Sequence, residues 1–544
     1  MDPLVYLAHA GTGLQKVSTA GVVSAALTLP AGVTIVNTRP ARIAVLAWRA
    51  AIVNAPSVNL LIDLSDWTVW PLNPAAAPAA APVVARTAGP VYGGPHGVYR
   101  YWVSFAIKRG GIVITESPFS PPSAEVNAEA WYGEESFGAH VTLSGIPTSS
   151  YADVNCRRLY RPVAGGADRY WLADLDDNVT TTYEDAIVDG DLSLLPALND
   201  LGLPPGADAT DRMVLLVAWK NRLFGVGLNE PDTLRWCGAD RPYAWAPWNS
   251  VRVRPSGQPL TALAARRNEL VPFKADGIWK FIGTDETDFS LVQVAEGVGS
   301  VSQDATITVH DTVYFLGPTD FWEYGPSGVL NLSRQSVHNW FATDTYFNRS
   351  RFPNAFAVYD PALDVIELHL AALGSSVEDR WVSFHRGTRK WFGPHKTSAL
   401  TPTAATLLDL GTGISVPVRG SAGDETGADL YVPQTSAADD GLAIVYDVAV
   451  HPHDGDLPDW EKFWGELTVL SRRQAQGTLS IYPAVGVLNA AEQPAIAHDL
   501  SRGRQCLRHL GKGQTCALRF YNAENGQAVS LYGYSLPHFP LRRL

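Results

Sequence analysis

Short apolar runs, each broken by a tight turn and followed by a run with an aromatic residue, recur throughout residues 210–435. The turns are of the type KN, RN, HD or DP, and the unit repeats about every 35–50 residues. Repeats of this length made only of strands are typical of β-propeller blades, although the WD and kelch signatures are absent. We therefore predict blades over residues 201–435, from MVLLVAWKNRLFGVGL, LTALAARRNELVPFKADGIWKFIG, ATITVHDTVYFLGPTDFWEYG, NAFAVYDPALDVIELHL and RWVSFHRGTRKWFGP.

The turn-forming residues extend this interpretation to the whole chain. There are 47 Gly and 38 Pro among 544 residues, which suits many short strands joined by tight turns. The 17 Trp fit wide pleated surfaces. The best helical candidate, Gln335 to Phe341, is short. The predicted fold class is all-β.

A run of alternating Pro and Ala, PLNPAAAPAAAPVVA, separates the first part of the chain from the rest. Such a run without a helix cap favours an extended linker, which we place at residues 71–85. Residues 1–70 contain the strand-like runs IAVLAW and NLLID. We expect residues 1–70 to contribute strands to the same propeller, since closing the ring removes exposed sheet edges.

Two further regions have the texture of β-sandwiches. Residues 86–200 contain alternating runs such as GVYRYWVSFAIK, HVTLSGIP and DRYWLADL, at spacings typical of a sandwich of short strands. Residues 436–544 contain KFWGELTVLSRR, GTLSIYPAV, ALRFYNA and VSLYGYSLPHF. We predict an inserted sandwich in the first region and a C-terminal sandwich in the second.

The charge balance argues against a protein that grips nucleic acid. The formal net charge is −12, whereas phosphate binding requires Lys and Arg. Ordinary solubility explains an acidic chain equally well. The arginine pairs are scattered along the sequence rather than gathered in a stripe, and subunit salt bridges or DNA contact are both open for them: Arg157-Arg158, Arg266-Arg267, Arg472-Arg473 and Arg542-Arg543.

The four cysteines have no CxxC spacing, which excludes a zinc ribbon and a disulfide framework. Cys506 and Cys516 are close enough in sequence to face each other across a hairpin, but free buried thiols are the favoured interpretation. The N-terminal residues lack the pattern of a signal peptide. There is also no apolar stretch of about 18 residues, so we predict no membrane-spanning segment.

Catalytic motifs are mostly missing. HExxH and GxSxG are absent, and HLGKGQT, residues 509–515, lacks the first Gly and the hydroxyl of a Walker loop. HPHDGD, residues 451–456, offers ligands for a metal, but a solvated loop between strands explains it as well. We predict no catalytic, cofactor-binding or metal-binding residues and no enzymatic activity.

Two sets of acidic residues keep alternatives open. The first set lacks EF-hand spacing, and its members either hold calcium or belong to polar loops: Asp174, Asp176, Asp177, Asp185, Asp189 and Asp191. Propeller glycosidases need a pair of carboxylates near the axis, and the second set supplies candidates for that pair: Asp276, Asp320, Glu323 and Glu367.

Several stretches resemble parts of one phage protein family. GGPHGVYRYWVSFAIKRGGIVITESPFSPPS, continued by CRRLYRPVAGGADRYWLADL and TTTYEDAIVDGDL, resembles the fibronectin type III-like insert of phage virion proteins. AWKNRLFGVGLNEPDTLRWCGADRPYAWAPW resembles a blade of the tail nozzle family of short-tailed bacteriophages, also called tail tubular protein B or packaged-DNA stabilisation protein. KFWGELTV and LRFYNAENGQAVSLYGYSL resemble the closing sandwich of that family.

This resemblance implies a structural virion protein with a propeller of six or seven blades. It implies a six-fold ring below the portal and adaptor, with peripheral sandwiches that hold other tail parts such as fibres or spikes. Double-stranded DNA would pass through the ring without sequence recognition, and the particle would assemble in the bacterial host cytoplasm. The alternative is a receptor-binding or glycan-cleaving propeller of the tail.

The charge leads to one expectation about mechanism. An acidic wall keeps the duplex hydrated and off the surface, because each neutralised phosphate adds affinity through counterion release. In the opposing hypothesis, Arg266 and Arg267 form a ring of cations that grips DNA in the filled particle.

Overall fold

Strands dominate the computed structural model, with 53% of residues in strands and 3% in helices, which confirms the predicted all-β fold. The short helices are α1 (Asp189–Leu192), α2 (His338–Ala342) and a 3₁₀ helix (Arg349–Asn354). The structure describes residues 5–10, 13–18, 22–30, 35, 41–53, 59–72, 77–87, 93–198, 201–202, 213–255, 257–396, 402–409, 415–421, 430–431, 438–439, 442–443, 446–524 and 529–543.

Two antiparallel sheets form before the predicted linker. Sheet 1 is strongly apolar, and its face with Ile52 and Ile62 packs on Leu14 of the N-terminal sheet. The N-terminal sheet consists of β1 (Val5–Ala10), β2 (Gly13–Ser18) and β3 (Val23–Ala26). Sheet 1 consists, in order, of β4 (Arg42–Leu46), β5 (Arg49–Val53), β6 (Leu60–Asp63) and β7 (Val69–Pro71).

The insert, defined here as residues 83–198, places two sheets around one core that includes Val103, Val141 and Leu159. The larger sheet has the order β11-β10-β16-β17-β19 and the smaller β18-β15-β8. Their strands are β8 (Val83–Arg86), β10 (Trp102–Arg109), β11 (Ile112–Glu116), β15 (Val141–Ser144), β16 (Cys156–Arg161), β17 (Arg169–Leu175), β18 (Tyr183–Asp185) and β19 (Ala197–Leu198). Two small pairs accompany them, β9 (Val98–Tyr99) with β12 (Val126–Asn127) and β13 (Glu129–Tyr132) with β14 (Glu135–Gly138).

The insert begins inside the predicted linker. Val83 to Arg86 form β8 and pair with β15, so the linker ends before residue 83 rather than at 85. The Pro/Ala composition concealed this strand because VVAR follows the prolines directly. The insert is also not isolated, since Ile107 and Ile114 join the core between sheet 1 and the next sheet of the chain.

Four more four-stranded sheets follow, each an antiparallel meander in sequence order. Sheet 2 holds β20 (Met213–Trp219), β21 (Arg222–Gly227), β22 (Thr233–Trp236) and β23 (Ser250–Arg252), and sheet 3 holds β24 (Ala262–Ala265), β25 (Leu270–Lys274), β26 (Gly277–Ile282) and β27 (Ser290–Glu296). Sheet 4 holds β28 (Thr306–Val309), β29 (Thr312–Leu316), β30 (Phe321–Gly325) and β31 (Gly328–Asn331), and sheet 5 holds β32 (Phe356–Asp360), β33 (Val365–Leu370), β34 (Arg380–His385) and β35 (Lys390–His395).

The turn chemistry explains two of the predicted hairpins. Lys220 and Asn221, and likewise His310 and Asp311, all have positive φ, which a two-residue type I′ turn requires at both positions. The predicted DP turn differs. A four-residue loop joins β32 to β33, and the carboxylate of Asp360 accepts hydrogen bonds from the backbone N–H groups of Ala362 and Leu363.

Sheets 1 to 6 succeed one another through their first strands. Sheet 6 comprises the described strands β36 (Pro402–Asp409), β37 (Ser415–Ser421) and β38 (Leu430–Tyr431). The strands β4, β20, β24, β28, β32 and β36 are neighbours in that order. Arg42 on β4 also forms an ion pair with Asp304, just before β28, although sheets 2 and 3 lie between them in the series. The first strands therefore curve around a common centre.

The C-terminal unit, residues 446–543, again encloses one core between two sheets, and that core includes Leu467, Ile481 and Phe520. A separate pair, β39 (Ala438–Asp439) with β40 (Leu442–Ala443), precedes it. One sheet has the order β41-β46-β43-β44, and in the other β42 pairs with β45 on one side and with β47 and β48 on the other. The strands are β41 (Tyr446–His453), β42 (Trp460–Ser471), β43 (Thr478–Gly486), β44 (Ile496–Asp499), β45 (Arg504–Gly513), β46 (Thr515–Asn522), β47 (Leu531–Ser535) and β48 (His538–Arg543).

Candidate functional site

Basic side chains link sheets 2 to 6 in series, and all of them except Arg419 lie at or beside a hairpin turn. Lys220 and Arg222 of sheet 2 reach sheet 3, where Arg222 binds Glu286 at 3.2 Å. The other links are Arg266 of sheet 3 to Asp311 of sheet 4, Arg389 of sheet 5 to Glu323 of sheet 4, and Arg419 of sheet 6 to Glu367 of sheet 5. Long cationic side chains can span adjacent sheets while their heads pair with carboxylates.

These links bear on Arg266 and Arg267, the two arginines that the opposing hypothesis places in a DNA-gripping ring. The Arg266 guanidinium pairs with Glu269 and Asp311 and lies over the ring of Tyr324. Burial and Glu269 raise the pKa of Tyr324 to about 12, which keeps that phenol neutral. The Arg267 side chain is exposed, and its backbone N–H donates a hydrogen bond to Asp311. The structure thus leaves Arg267, but not Arg266, available to a ligand in solution.

A groove of about 350 Å³ lies between sheets 4 and 5 on the side of these turns. Its floor includes Tyr314 and Glu323, and its rim carries Asp364, Arg386 and Arg389. The Arg386 guanidinium donates to the Tyr314 hydroxyl at 3.1 Å and to Asp364 at 2.8 Å, while Arg389 binds Glu323. The pKa of Arg386 is raised because these acceptors outweigh the effect of burial. The groove is therefore polar and internally neutralised.

Sheet 5 carries an aromatic ladder that sequence reasoning missed. Phe356, His369, Trp381 and His395 lie side by side across its four strands, with centroid distances of 4.5, 5.8 and 5.3 Å between successive rings. Burial lowers the pKa of His369 and of His395 and keeps both rings neutral. The alternation of polar and apolar residues in β33 was visible in the sequence. Only the strand register, however, aligns these four rings.

Glu367 lies on β33 beside this ladder and binds Arg419 of sheet 6. Burial opposes its charged form, but His369 and Arg419 prevail and lower the pKa of Glu367 to about 2. The guanidinium of Arg419 also lies 4.9 Å from the ring of Trp381. This cluster joins sheets 5 and 6 and has no carboxyl group poised to act as an acid near neutral pH.

The other predicted carboxylates are engaged separately. Asp320 accepts hydrogen bonds from Ser333 and His338, at 2.7 and 2.9 Å. Glu323 binds Arg389, and Asp276 lies in the turn between β25 and β26. Asp320, Glu323 and Glu367 thus each have their own partners in the described structure.

The predicted acidic loop set of the insert is paired with cations of the chain. Arg157 binds Asp177, and Arg161 binds both Asp185 and Asp189. Among the described residues, one group has metal-ligand spacing, Cys156 with Asp174 and Asp176. The ammonium of Lys108 lies 2.8 Å from Asp174 and 2.7 Å from Asp176, so a cation of the protein already occupies the position where a metal would bind.

The remaining sequence motifs have structural explanations. HPHDGD forms the end of β41 and the turn that follows it, in which the Gly455 N–H donates to His453 and the Asp456 N–H to Asp454. HLGKGQT spans the connection from β45 to β46, two strands of different sheets, and not the strand-to-helix junction of a phosphate loop. Arg542 and Arg543 face Glu461 and Asp459, and Arg473 donates to the carbonyl oxygen of Ser501.

All four cysteines are free, as predicted, and three are buried. Burial raises the pKa of Cys237 and Cys516 to about 12, so neither is a thiolate at neutral pH. Cys506 is exposed, contrary to the expectation of buried thiols. It pairs in register with Thr468 in one sheet, whereas Cys516 lies in the other sheet, so the two do not face each other across a hairpin.

An exposed hairpin also escaped the sequence reading. Trp131 and Tyr132 on β13 are 63% and 75% exposed, near the tip of the β13–β14 pair. The glycine turn in WYGEES was a signal for this hairpin. In the described part of the chain, no helix is long and apolar enough to span a membrane.

Comparison with known proteins gives little beyond this geometry. No family model matches the chain, and no curated protein matches it. A solved structure of PorZ, described as an essential bacterial surface component of the type-IX secretion system of Porphyromonas gingivalis, is 8% identical to it. The match covers 99% of this chain and 85% of that chain with a TM-score of 0.29, a likeness too low to define a shared fold.

Proposed function

We propose that this chain is a structural subunit of the tail nozzle ring of a short-tailed bacteriophage. The order of its parts supports the proposal: sheet 1, the insert, sheets 2 to 6 and the C-terminal unit follow the order expected from the sequence resemblance. In this proposal the protein has no enzymatic activity, and it acts as part of the virion after assembly in the host cytoplasm.

The meandering sheets support a β-propeller of six or seven blades. First strands that are neighbours in series, and that curve enough for Arg42 to reach Asp304, are what a ring of blades requires. Sheets 1 to 6 supply six blades. The N-terminal sheet packs on the face of sheet 1 opposite to sheet 2 and is the candidate for a seventh.

The same ion pair determines which channel DNA would use. Arg42 and Asp304 meet across the centre of the sheet series. The major groove of DNA alone is about 12 Å wide, so a duplex does not fit where two side chains close the gap. In our proposal DNA passes through the centre of a ring of several copies, and the outer surfaces of the subunits line that channel.

One observation carries the proposed mechanism: most of the arginines at the turns pair with acids of the same chain, while Arg267 stays exposed. Arg222, Arg266, Arg386 and Arg389 all pair with carboxylates of the same chain. With a net charge of −12, the protein offers the passing duplex a surface that repels phosphate within a Debye length of about 8 Å at physiological salt.

Two measurements test this function. The mass of the isolated or particle-bound assembly should correspond to a ring of about six copies, whereas a trimer would favour a receptor-binding spike. The assembled ring should bind random duplex DNA more weakly than about 10⁻⁶ M at physiological salt. Tighter binding that depends steeply on salt and disappears in Arg267→Glu would contradict the repulsive surface. It would support a ring of cations instead.

The enzymatic alternative has its own test. Purified protein is incubated with host polysaccharide, and the products are analysed for cleavage. We expect none, because Glu323 and Glu367 are each bound by an arginine. Cleavage that disappears in Glu323→Gln would overturn the structural role.

A further inference from the structure

We propose that copies of this chain join head to tail: the hairpin β13–β14 of one copy docks on the outer face of the sheet β45-β42-β48 in the C-terminal unit of the next copy. This contact rests on the proposed ring and names the surfaces that would close it.

The hairpin is built as a rigid projection. Trp131 pairs with Ser136 and Tyr132 with Glu135, so the tip is a two-residue turn of Gly133 and Glu134. Gly133 has φ +67, which a glycine adopts without strain. At the base, Arg86 donates to the carbonyl oxygen of Glu129, and a ring nitrogen of His96 lies 2.8 Å from the Ser136 hydroxyl.

The exposed side chains at the tip suit a protein contact. Trp and Tyr provide large rigid contact areas and dominate binding energy at interfaces. Glu134 and Glu135 are exposed beside them. The hairpin therefore presents two aromatic anchors next to two negative charges, and its partner should offer an apolar centre with basic residues around it.

The outer face of the C-terminal sheet has this composition. Lys512, Phe463 and Phe539 align across β45, β42 and β48, and Phe539 is 58% exposed. Arg504 lies opposite Leu470 at the other end of the β42–β45 ladder, and both are exposed. The exposed Glu466 lies between Phe463 and Leu470 on the middle strand, so apolar residues occupy the two ends of that strand while two cations lie on β45.

Charge over the two regions favours head-to-tail contact. Residues 83–198 contain 8 Lys and Arg against 14 Asp and Glu, a formal charge of −6. The C-terminal unit, residues 446–543, contains 10 Lys and Arg against 9 Asp and Glu, a formal charge of +1. Contact between two inserts therefore sets like charges together, whereas contact between an insert and the C-terminal unit does not, and Arg504 and Lys512 on β45 attract the negative charges of the hairpin. A contact between unlike surfaces generates a ring when its rotation closes.

The first test measures the mass of the full chain over a concentration series by mass photometry. Trp131→Ala/Tyr132→Ala should weaken assembly by about tenfold or more, as truncation of interface anchors does. Trp248→Ala is the matched control, because Trp248 is 59% exposed on a loop of sheet 2 and should assemble like the unmodified chain. Circular dichroism checks that all variants are folded.

The second test exchanges charges. Glu134→Lys/Glu135→Lys should weaken assembly, and so should Arg504→Glu/Lys512→Glu. A chain that carries all four changes should assemble again, because both surfaces then bear opposite charges. Recovery supports direct contact, and failure to recover overturns it. If the unmodified chain forms rings and the hairpin variant does too, this interface is wrong while the ring stands. If the unmodified chain is monomeric alone and on particles, both proposals fail.

Discussion

The insert and the C-terminal unit each enclose an apolar core between two sheets, but they differ in the ion pairs that they bury. The insert buries charged groups completely, with Arg157, Arg161 and Asp185 at 0% exposure. The core of the C-terminal unit is apolar, formed by residues such as Leu467, Leu479 and Phe520. Both units therefore rely on apolar packing, and the insert adds buried ion pairs that need matched partners.

The buried charges of the insert form two networks. In one, Arg161 binds Asp185 and Asp189, both at 2.6 Å, while the hydroxyls of Tyr101 and Tyr99 donate to the same carboxylates. In the other, Glu116 accepts from Ser104, Tyr160 and Arg158. Burial, followed by Asp185, raises the pKa of Tyr101, so its phenol stays a donor.

The largest expected effect comes from breaking the first network. Arg161→Ala should lower the free energy of unfolding by about 3–5 kcal/mol, because it leaves Asp185 charged and buried without its partner. The measurement is chemical denaturation of the full chain, followed by hydrogen exchange of peptides from the insert. Protection should fall in the insert and remain in the C-terminal unit.

Arg100→Ala is the control for this prediction. Arg100 and Glu125 form an ion pair at 2.8 Å with both side chains largely exposed, so the change should cost no more than about 1 kcal/mol. Equal effects of the two substitutions would mean that the buried network does not stabilise the insert.

The next effect tests the apolar side of the comparison. Leu467→Ala should destabilise the C-terminal unit by about 2–5 kcal/mol, through lost burial and the cavity left behind. Leu488→Ala, at a side chain that is 61% exposed, should change stability little. Thermal unfolding with exchange readout locates the loss. A drop in insert protection instead would show that the two units unfold together.

A smaller effect separates the units by pH. Burial lowers the pKa of His498, whose ring nitrogen lies 2.9 Å from the Ser471 hydroxyl. Its folded pKa is below its unfolded value, so stability is full above about pH 6.5 and declines as the pH falls toward the folded pKa. Denaturation midpoints of the C-terminal unit between pH 7 and pH 5 should show this decline, and His498→Gln should flatten it.

The insert should respond only in stronger acid. Burial opposes the charged form of Asp174, but Arg158 and Lys108 prevail and hold its pKa below the ordinary value. Its contribution is therefore complete above about pH 4 and is lost as the pH falls further. A decline of insert protection already at pH 6 would contradict this order.

The smallest effect concerns an exposed network of the C-terminal unit. Arg519 binds Asp447 at 2.7 Å and Glu492 at 3.4 Å, with all three side chains partly exposed. Arg519→Ala should cost less than about 1 kcal/mol at low salt. The difference should vanish near 1 M salt, where the Debye length is about 3 Å. A cost that persists in high salt would point to packing of the Arg519 stem instead.

Local features were readable from the sequence. The all-β class, the hairpin turns at Lys220-Asn221 and His310-Asp311, and the short helix near Phe341 depend on residues that are neighbours along the chain. Alternation and turn chemistry act over a few residues, and their signals survive in a single sequence. The predicted C-terminal end of the linker was wrong because the strand VVAR is too short to show alternation.

Partnership between distant residues was decided by the tertiary structure alone. The sequence left open whether Arg266 forms a salt bridge or contacts DNA, and the structure pairs it with Asp311 of the next sheet. Likewise, Arg42 pairs with Asp304, which is far away in the sequence. Strand register sets which face each side chain occupies, and a shift of one residue would reverse it. Which carboxylate neutralises which arginine therefore depends on how whole sheets are arranged, and no local pattern encodes that arrangement.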